Sequence, residues 1–162
     1  MSAFIKVAFL DRDGVINERQ ASHHYVTTIA AFKFNDGIFA ALKHLVDNGF
    51  KLIVITNQQG LAKGLLTAAD LAMIHERMVA ELKKQGIPVL DIFFCPHREG
   101  ECICRKPQPG LLKLATDKYD INLPESILVS DEEEDVKMGK DFGVGKNIRI
   151  DRDKPEQLLK YL

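Results

Sequence analysis

Two aspartates one residue apart, Asp11 and Asp13, follow directly on an apolar run in VAFLDRDGVIN. Carboxylates this close repel each other unless a cation or a set of positive groups holds them. One such carboxylate can attack phosphorus and form an acyl phosphate. A second, two residues on, can protonate a leaving oxygen and then activate water. Taken alone, an aspartate pair is as readily a turn or two solvated acids. A second group with chemistry lies further along. All three cysteines fall between positions 95 and 104 and, with His97, read C-x-H-x4-C-x-C. Cys95, His97, Cys102 and Cys104 suit a tetrahedral Zn²⁺ site closed by its four protein ligands, and hence a structural one. An odd cysteine count points to metal before disulfide, with a redox pair or a chance cluster as the other readings.

Such groups need elements to position them. Short β-rich runs occur at Lys6–Leu10, Lys51–Thr56, Asp91–Phe94, Ser126–Ser130 and, more weakly, Asn147–Ile150. Helical periodicity fills the intervals. Asp36–Asn48 places Ile38, Phe39, Leu42, Leu45 and Val46 on one face and stops at Gly49. The next helix starts at Thr67, an N-cap with Asp70 three residues on, and ends near Gly86. A third follows Pro109-Gly110, a fourth runs through Val136 to Phe142, and a short one closes the chain from Pro155. This alternation predicts an α/β fold, a Rossmann-like three-layer sandwich around a central parallel sheet. The expected organisation is one domain over residues 1–162.

Ligands of such sheets bind beyond the carboxyl ends of the strands. Those ends carry Asp11 and Asp13, then Thr56 and Asn57, then the cysteine loop with Arg105 and Lys106, then Asp131 with Asp135 close behind. Gathered on one edge, they suit a phosphoryl group. Mg²⁺ fits an all-oxygen site, cations neutralise phosphoryl oxygens, and the threonine can donate to one of them. Individually, Arg105 and Lys106 read as surface charges, and the DEEED run as a solvated helix start.

In this order, FLDRDGVIN, VITNQQGLAKG, CPHREGECICRKPQPG and SDEEED resemble the motifs of the haloacid-dehalogenase-like phosphatases. The resemblance spans about residues 4–150 and is greatest to the branch of D-glycero-D-manno-heptose-1,7-bisphosphate 7-phosphatases and histidinol-phosphate phosphatase domains. It implies Asp11 as the nucleophile that becomes phosphoaspartate and Asp13 as general acid/base. Mg²⁺ would be held by Asp11, Asp131 and the backbone carbonyl of Asp13. Thr56 and Lys106 would hold the transferring phosphoryl group, Arg105 would contact substrate, and Asn57 would lie in the phosphate-side loop. Relatives with the cysteine motif carry zinc there. The chain departs from the pattern at Ser130, where glycine is usual, at the acids Glu132–Glu134, and at Gln59, where serine is frequent.

The loops after the first strand (Gly14–Asn35) and second strand (Gln58–Leu66) are too short to fold as a lid, so no cap domain is expected. His23, His24, Tyr25 and Val26 fall where relatives shape the pocket mouth, whereas His44 and His75 read as surface or boundary residues of helices. A net charge of −1 lowers the prior for nucleic-acid or membrane partners. No apolar run approaches a membrane span or signal peptide, so the expected home is the cytoplasm. The resemblance implies a Mg²⁺-dependent phosphatase of a small phosphorylated metabolite; with no sign of a large apolar interface, a monomer is expected. Heptose 1,7-bisphosphate, feeding lipopolysaccharide-type surface sugars, is the first choice. Histidinol phosphate is the alternative, favoured by the short zinc loop. A polynucleotide 3′-phosphatase and a non-catalytic zinc-stabilised binding module remain as further readings.

Overall fold

In the computed structural model, residues 3–22 and 24–162 are described. Strands β1 (Val7–Leu10), β2 (Lys51–Asn57), β3 (Val89–Cys95), β4 (Ile127–Ser130) and β5 (Lys146–Arg149) form one sheet in the order β3-β2-β1-β4-β5. Every pairing is parallel, and Phe9 lies opposite both Ile53 and Leu128. β1 is central because the chain runs outward through β2 and β3, then returns past it to β4 and β5. The order reverses at β1, so a crevice opens at its carboxyl end.

Side chains alternate between the two faces, which explains the near-continuous apolar strands. Ala8, Leu10 and Val54 pack with Leu42 and Leu45 of α1 (Ile38–Asp47) and Met78 and Leu82 of α2 (Ala68–Lys84). Val7, Phe9 and Ile53 pack on the other face with Leu111 and Leu112 of α3 (Gly110–Lys118) and Met138 of α4 (Glu133–Phe142). Full burial of each such side chain stabilises by about 1.5–3 kcal/mol, so both faces must be covered. The result is the expected three-layer α/β sandwich.

Helix α2 begins with a complete capping box: the Thr67 hydroxyl accepts from the Asp70 N–H, and the Asp70 carboxylate accepts from the Thr67 N–H. The strand ends other than those of β3 shift by at most one residue from the sequence reading, α1 starts two residues later, and three elements differ further, for a physical reason or in helix type. β3 is longer than Asp91–Phe94, because a register irregularity at Leu52/Ile53 lets Val89 pair as well. α4 starts at Glu133, with Glu133, Glu134 and Asp135 in its first turn, where the helix dipole favours acids. The closing helix from Pro155 is a 3₁₀ helix, Pro155–Tyr161. Between Leu10 and Ile38 the described residues form turns and isolated bridges, with no lid. No helix among the described residues is long and apolar enough to cross a membrane.

Candidate active site

The strand ends meet as the topology requires. A cavity of about 450 Å³ at the carboxyl edge of the sheet is lined by Asp11, Asp13, Thr56, Asn57, Arg105 and Lys106. All six come from the sequence reading. Asp131 lies beside them, buried, at the end of β4.

Lys106 is the electrostatic hub. Its Nζ donates to Asp11 Oδ1 at 2.9 Å and to Asp135 Oδ2 at 2.9 Å. Burial works against its charge, but the two carboxylates outweigh that and hold the ammonium firmly protonated. The Asp11 carboxyl is pushed up, first by burial and then by Asp135 and Asp131, against the pull of Lys106. Asp13 shows the opposite balance. Burial would raise it, but Arg12, Asn17 and Gln58 keep it below the usual range. Arg12 Nη2 and Asn17 Nδ2 donate to Oδ1 at 2.8 and 2.9 Å, and Gln58 Nε2 donates to Oδ2 at 3.0 Å. The same Gln58 nitrogen reaches Thr56 Oγ1 at 2.9 Å. With its oxygen accepting, the threonine keeps its own hydrogen free to donate into the cavity.

Asn57 does not point its amide at the cavity alone. Its Nδ2 donates to the Lys106 carbonyl and its Oδ1 accepts from the Lys106 N–H, both at 3.0 Å. It fixes the backbone that carries the lysine. Arg105 has a buried Nη1 without a partner among the described residues, a donor left over for an anion. Asp131 Oδ2 accepts from Arg19 Nη1 at 3.2 Å and Arg152 Nε at 3.1 Å, while its Oδ1 is buried and unpartnered. A buried, orphaned carboxylate oxygen beside Asp11 is the donor that a hard divalent cation takes, so the residues fit Mg²⁺. Gly14, at φ +90°, makes room for the Asp131 carboxylate: a Cβ there would lie 2.5 Å from Asp131 Oδ2. Ser130 puts its Oγ 3.0 Å from Asp135 Oδ2 and 3.3 Å from Asp11 Oδ2, so the departure from glycine adds a hydroxyl between two carboxylates.

At the end of β3, the ligand atoms of Cys95, His97, Cys102 and Cys104 all lie within 4.8 Å of one another. The Cys95 Sγ is 3.4 Å from His97 Nδ1 and from Cys102 Sγ, and 3.0 Å from Cys104 Sγ. All three thiols are free. Zinc–sulfur bonds of about 2.3 Å at tetrahedral angles put sulfur atoms roughly 3.8 Å apart, so four donor atoms gathered within 4.8 Å of one another fit Zn²⁺. Gly110, the first residue of α3, presses against the last ligand: a Cβ there would lie 2.5 Å from Cys104 Cα.

Sequence reasoning missed several groups. Arg12, Asn17 and Gln58, the donors around Asp13, are buried. His75 is not a surface or boundary residue: it is 7% exposed and accepts from Arg12 Nη1 at its Nε2, 3.1 Å away. It shares the inward face of α2 with Leu71 and Met78, and a lone histidine at that spacing carries no sign of depth. His44 is partly buried, as a boundary residue. His24, Tyr25 and Val26 line the cavity, and His23 lies outside the described residues.

A family model described as polynucleotide kinase 3 phosphatase matches residues 6–152, a span that holds all of these groups. The chain belongs to this family. It is a haloacid-dehalogenase-like phosphatase, as the motifs imply. Among curated relatives, a D-glycero-alpha-D-manno-heptose-1,7-bisphosphate 7-phosphatase of Photorhabdus laumondii is 38% identical over 148 residues, 86% of this chain and 79% of the relative. A D-glycero-beta-D-manno-heptose-1,7-bisphosphate 7-phosphatase of Escherichia coli (strain K12) is 36% identical over 163 residues, 96% of this chain and 84% of the relative. Among solved structures, a D,D-heptose 1,7-bisphosphate phosphatase from B. bronchiseptica, complexed with magnesium and phosphate, matches with a TM-score of 0.84. Its sequence identity is 31%, over 98% of this chain and 87% of that one.

Proposed function

We propose that this phosphatase removes the 7-phosphate of D-glycero-D-manno-heptose 1,7-bisphosphate through a phosphoaspartate on Asp11. The observation that carries the reading is the convergence of Asp11, Asp13, Thr56 and Lys106 on one cavity in a chain 36–38% identical to heptose-bisphosphate phosphatases over most of its length. An Asp11 carboxylate oxygen attacks phosphorus, and the bond to the sugar's 7-oxygen breaks as Asp13 gives that oxygen a proton. Water then attacks phosphorus, Asp13 takes its proton, and Asp11 leaves with its electron pair, releasing inorganic phosphate. Lys106 balances charge on the nucleophile and the phosphoryl oxygens, and Thr56 donates one hydrogen bond to them. Asp11, Asp131 and the carbonyl of Asp13 would hold Mg²⁺, whose charge offsets that of the phosphoryl group. Arg105, with its spare donor, is assigned to the substrate.

Cys95, His97, Cys102 and Cys104 would hold one structural Zn²⁺. Arg105 and Lys106 follow the last ligand directly, so clamping the loop limits the freedom of both cations. We also propose that the chain works in the cytoplasm as a monomer, needing neither nucleic acid nor a membrane. The net charge of −1 supports the absence of a nucleic-acid or anionic-membrane partner.

Phosphate release from heptose 1,7-bisphosphate and histidinol phosphate, measured side by side with Mg²⁺, tests the proposal. A strong preference for the bisphosphate, abolished in Asp11→Asn, is expected. A preference for histidinol phosphate would move the substrate assignment and leave the chemistry standing. Full activity in Asp11→Asn would overturn the chemistry itself.

A further inference from the structure

Arg12 is the largest side chain with no exposure at all. A buried guanidinium is costly unless its donors are paired. Among the described residues this one has two polar side-chain partners. Nη2 donates to Asp13 Oδ1 at 2.8 Å and Nη1 donates to His75 Nε2 at 3.1 Å, while Nε has no partner. The Phe32 ring flanks it, with its centroid 5.7 Å away. One of the two anchors is the carboxyl assigned the proton transfers. The other is therefore the fixed point. His75 is suited to that task, because it sits on the buried face of a capped 17-residue helix.

We propose that His75 is a positioning residue for Asp13, acting through Arg12: its Nε2 fixes one end of the guanidinium, and the other end aims the carboxyl at the leaving oxygen. The inference rests on the assignment of Asp13 as general acid/base. Burial and then the charge of Arg12 push the histidine down to about 4, so near neutral pH the ring is uncharged and Nε2 is free to accept. In that tautomer the proton is on Nδ1. Nothing at His75 touches the cavity: its part is to hold the guanidinium still, while Asn17 and Gln58 hold the rest of the carboxyl. Losing His75 should therefore weaken proton transfer without abolishing it.

The test compares two leaving groups on the same preparation of enzyme. Heptose 1,7-bisphosphate needs its alkoxide oxygen protonated, whereas 4-nitrophenyl phosphate releases a phenolate that needs no proton. In His75→Leu, which removes the acceptor, kcat/KM for the sugar should fall about 10-fold and that for the aryl ester by less than about 3-fold. The ratio of the two is independent of the fraction folded. His75→Gln, which restores an acceptor at similar reach, should bring the ratio back to within about 3-fold of wild type. Equal losses on both esters in His75→Leu, or none on either, would overturn the inference and leave the proposed function intact. A wild-type enzyme inert on both esters would overturn the proposed function and the inference with it.

Discussion

The cavity and the cysteine loop share one edge of the sheet, yet they are assembled in opposite ways. The cavity draws its charged groups from positions as far apart as Asp11 and Asp135, and brings them together by strand order. The loop takes all four ligands from Cys95–Cys104. The first is held open by the fold before any ligand arrives. The second is a short, irregular run whose side chains face one another across less than 5 Å, and whose stability would rest on the proposed zinc. The cavity should thus govern rate, and the loop should govern stability and only then rate.

Two substitutions sharpen that contrast most. Asp11→Asn is expected to lower kcat by at least about 10³-fold, because Asp11 is the proposed nucleophile and such a group acts as a unit with its partners. Its thermal melt should stay near that of wild type, since Lys106 keeps Asp135. Cys102→Ser should show the reverse weighting: loss of zinc by elemental analysis, a fall in stability of about 3 kcal/mol or more, and about 10-fold lower kcat/KM through displaced Arg105 and Lys106. A Cys102→Ser protein that melts like wild type but is as inactive as Asp11→Asn would break the comparison.

A pH series probes the cavity's support when wild type is compared with His75→Gln, because the loop's own loss of metal on acidification is common to both. The folded-state value of about 4 for His75 lies below the ordinary 6.5, so the unfolded chain takes up the proton first as pH falls. The stability that depends on the neutral ring is whole above pH 6.5 and lost on the way down to about 4. Wild type should therefore lose up to about 3 kcal/mol more than His75→Gln across that window, read by denaturant melts at each pH. Parallel curves would mean the ring is protonated in place.

The smallest expected effect links the two regions. Asn57→Ala removes both hydrogen bonds to the Lys106 backbone. It should cost about 1–2 kcal/mol of stability and lower kcat/KM about 10-fold, with zinc content unchanged.

How each region is assembled also decides what a reader of the sequence can see. The cysteine loop is legible from spacing alone. The cavity is legible only in outline: apolar strands that stop at Asp11, Thr56 and Ser130 name the groups at their ends, and a parallel sheet must bring those ends together. What surrounds these groups leaves no local trace. The bonds from Asn57 to Lys106 cross 49 positions of sequence, and that from Arg12 to His75 crosses 63. Arg12, between two aspartates, carries no local sign of depth, yet the fold buries it beside Phe32 and α2. The acids after Asp131 read as a solvated helix start; three of them do open α4, but Asp135 is buried against Lys106 instead of solvated. The hydroxyl of Ser130, set between Asp11 and Asp135, was visible only as a departure from a pattern.

The close seat of Gly110 against Cys104 has a consequence for how the loop behaves as a material. Its inner side is defined by four soft donors, its outer side by the rigid first turn of a helix with no side chain to act as a cushion. With the proposed zinc bound, the run from Ile103 to Lys106 would be held between that helix turn and the metal centre. Loosening that centre cannot let the backbone spring outward past α3. Arg105 and Lys106 follow Cys104 directly, so damage at the cysteines reaches the two cavity cations within two residues.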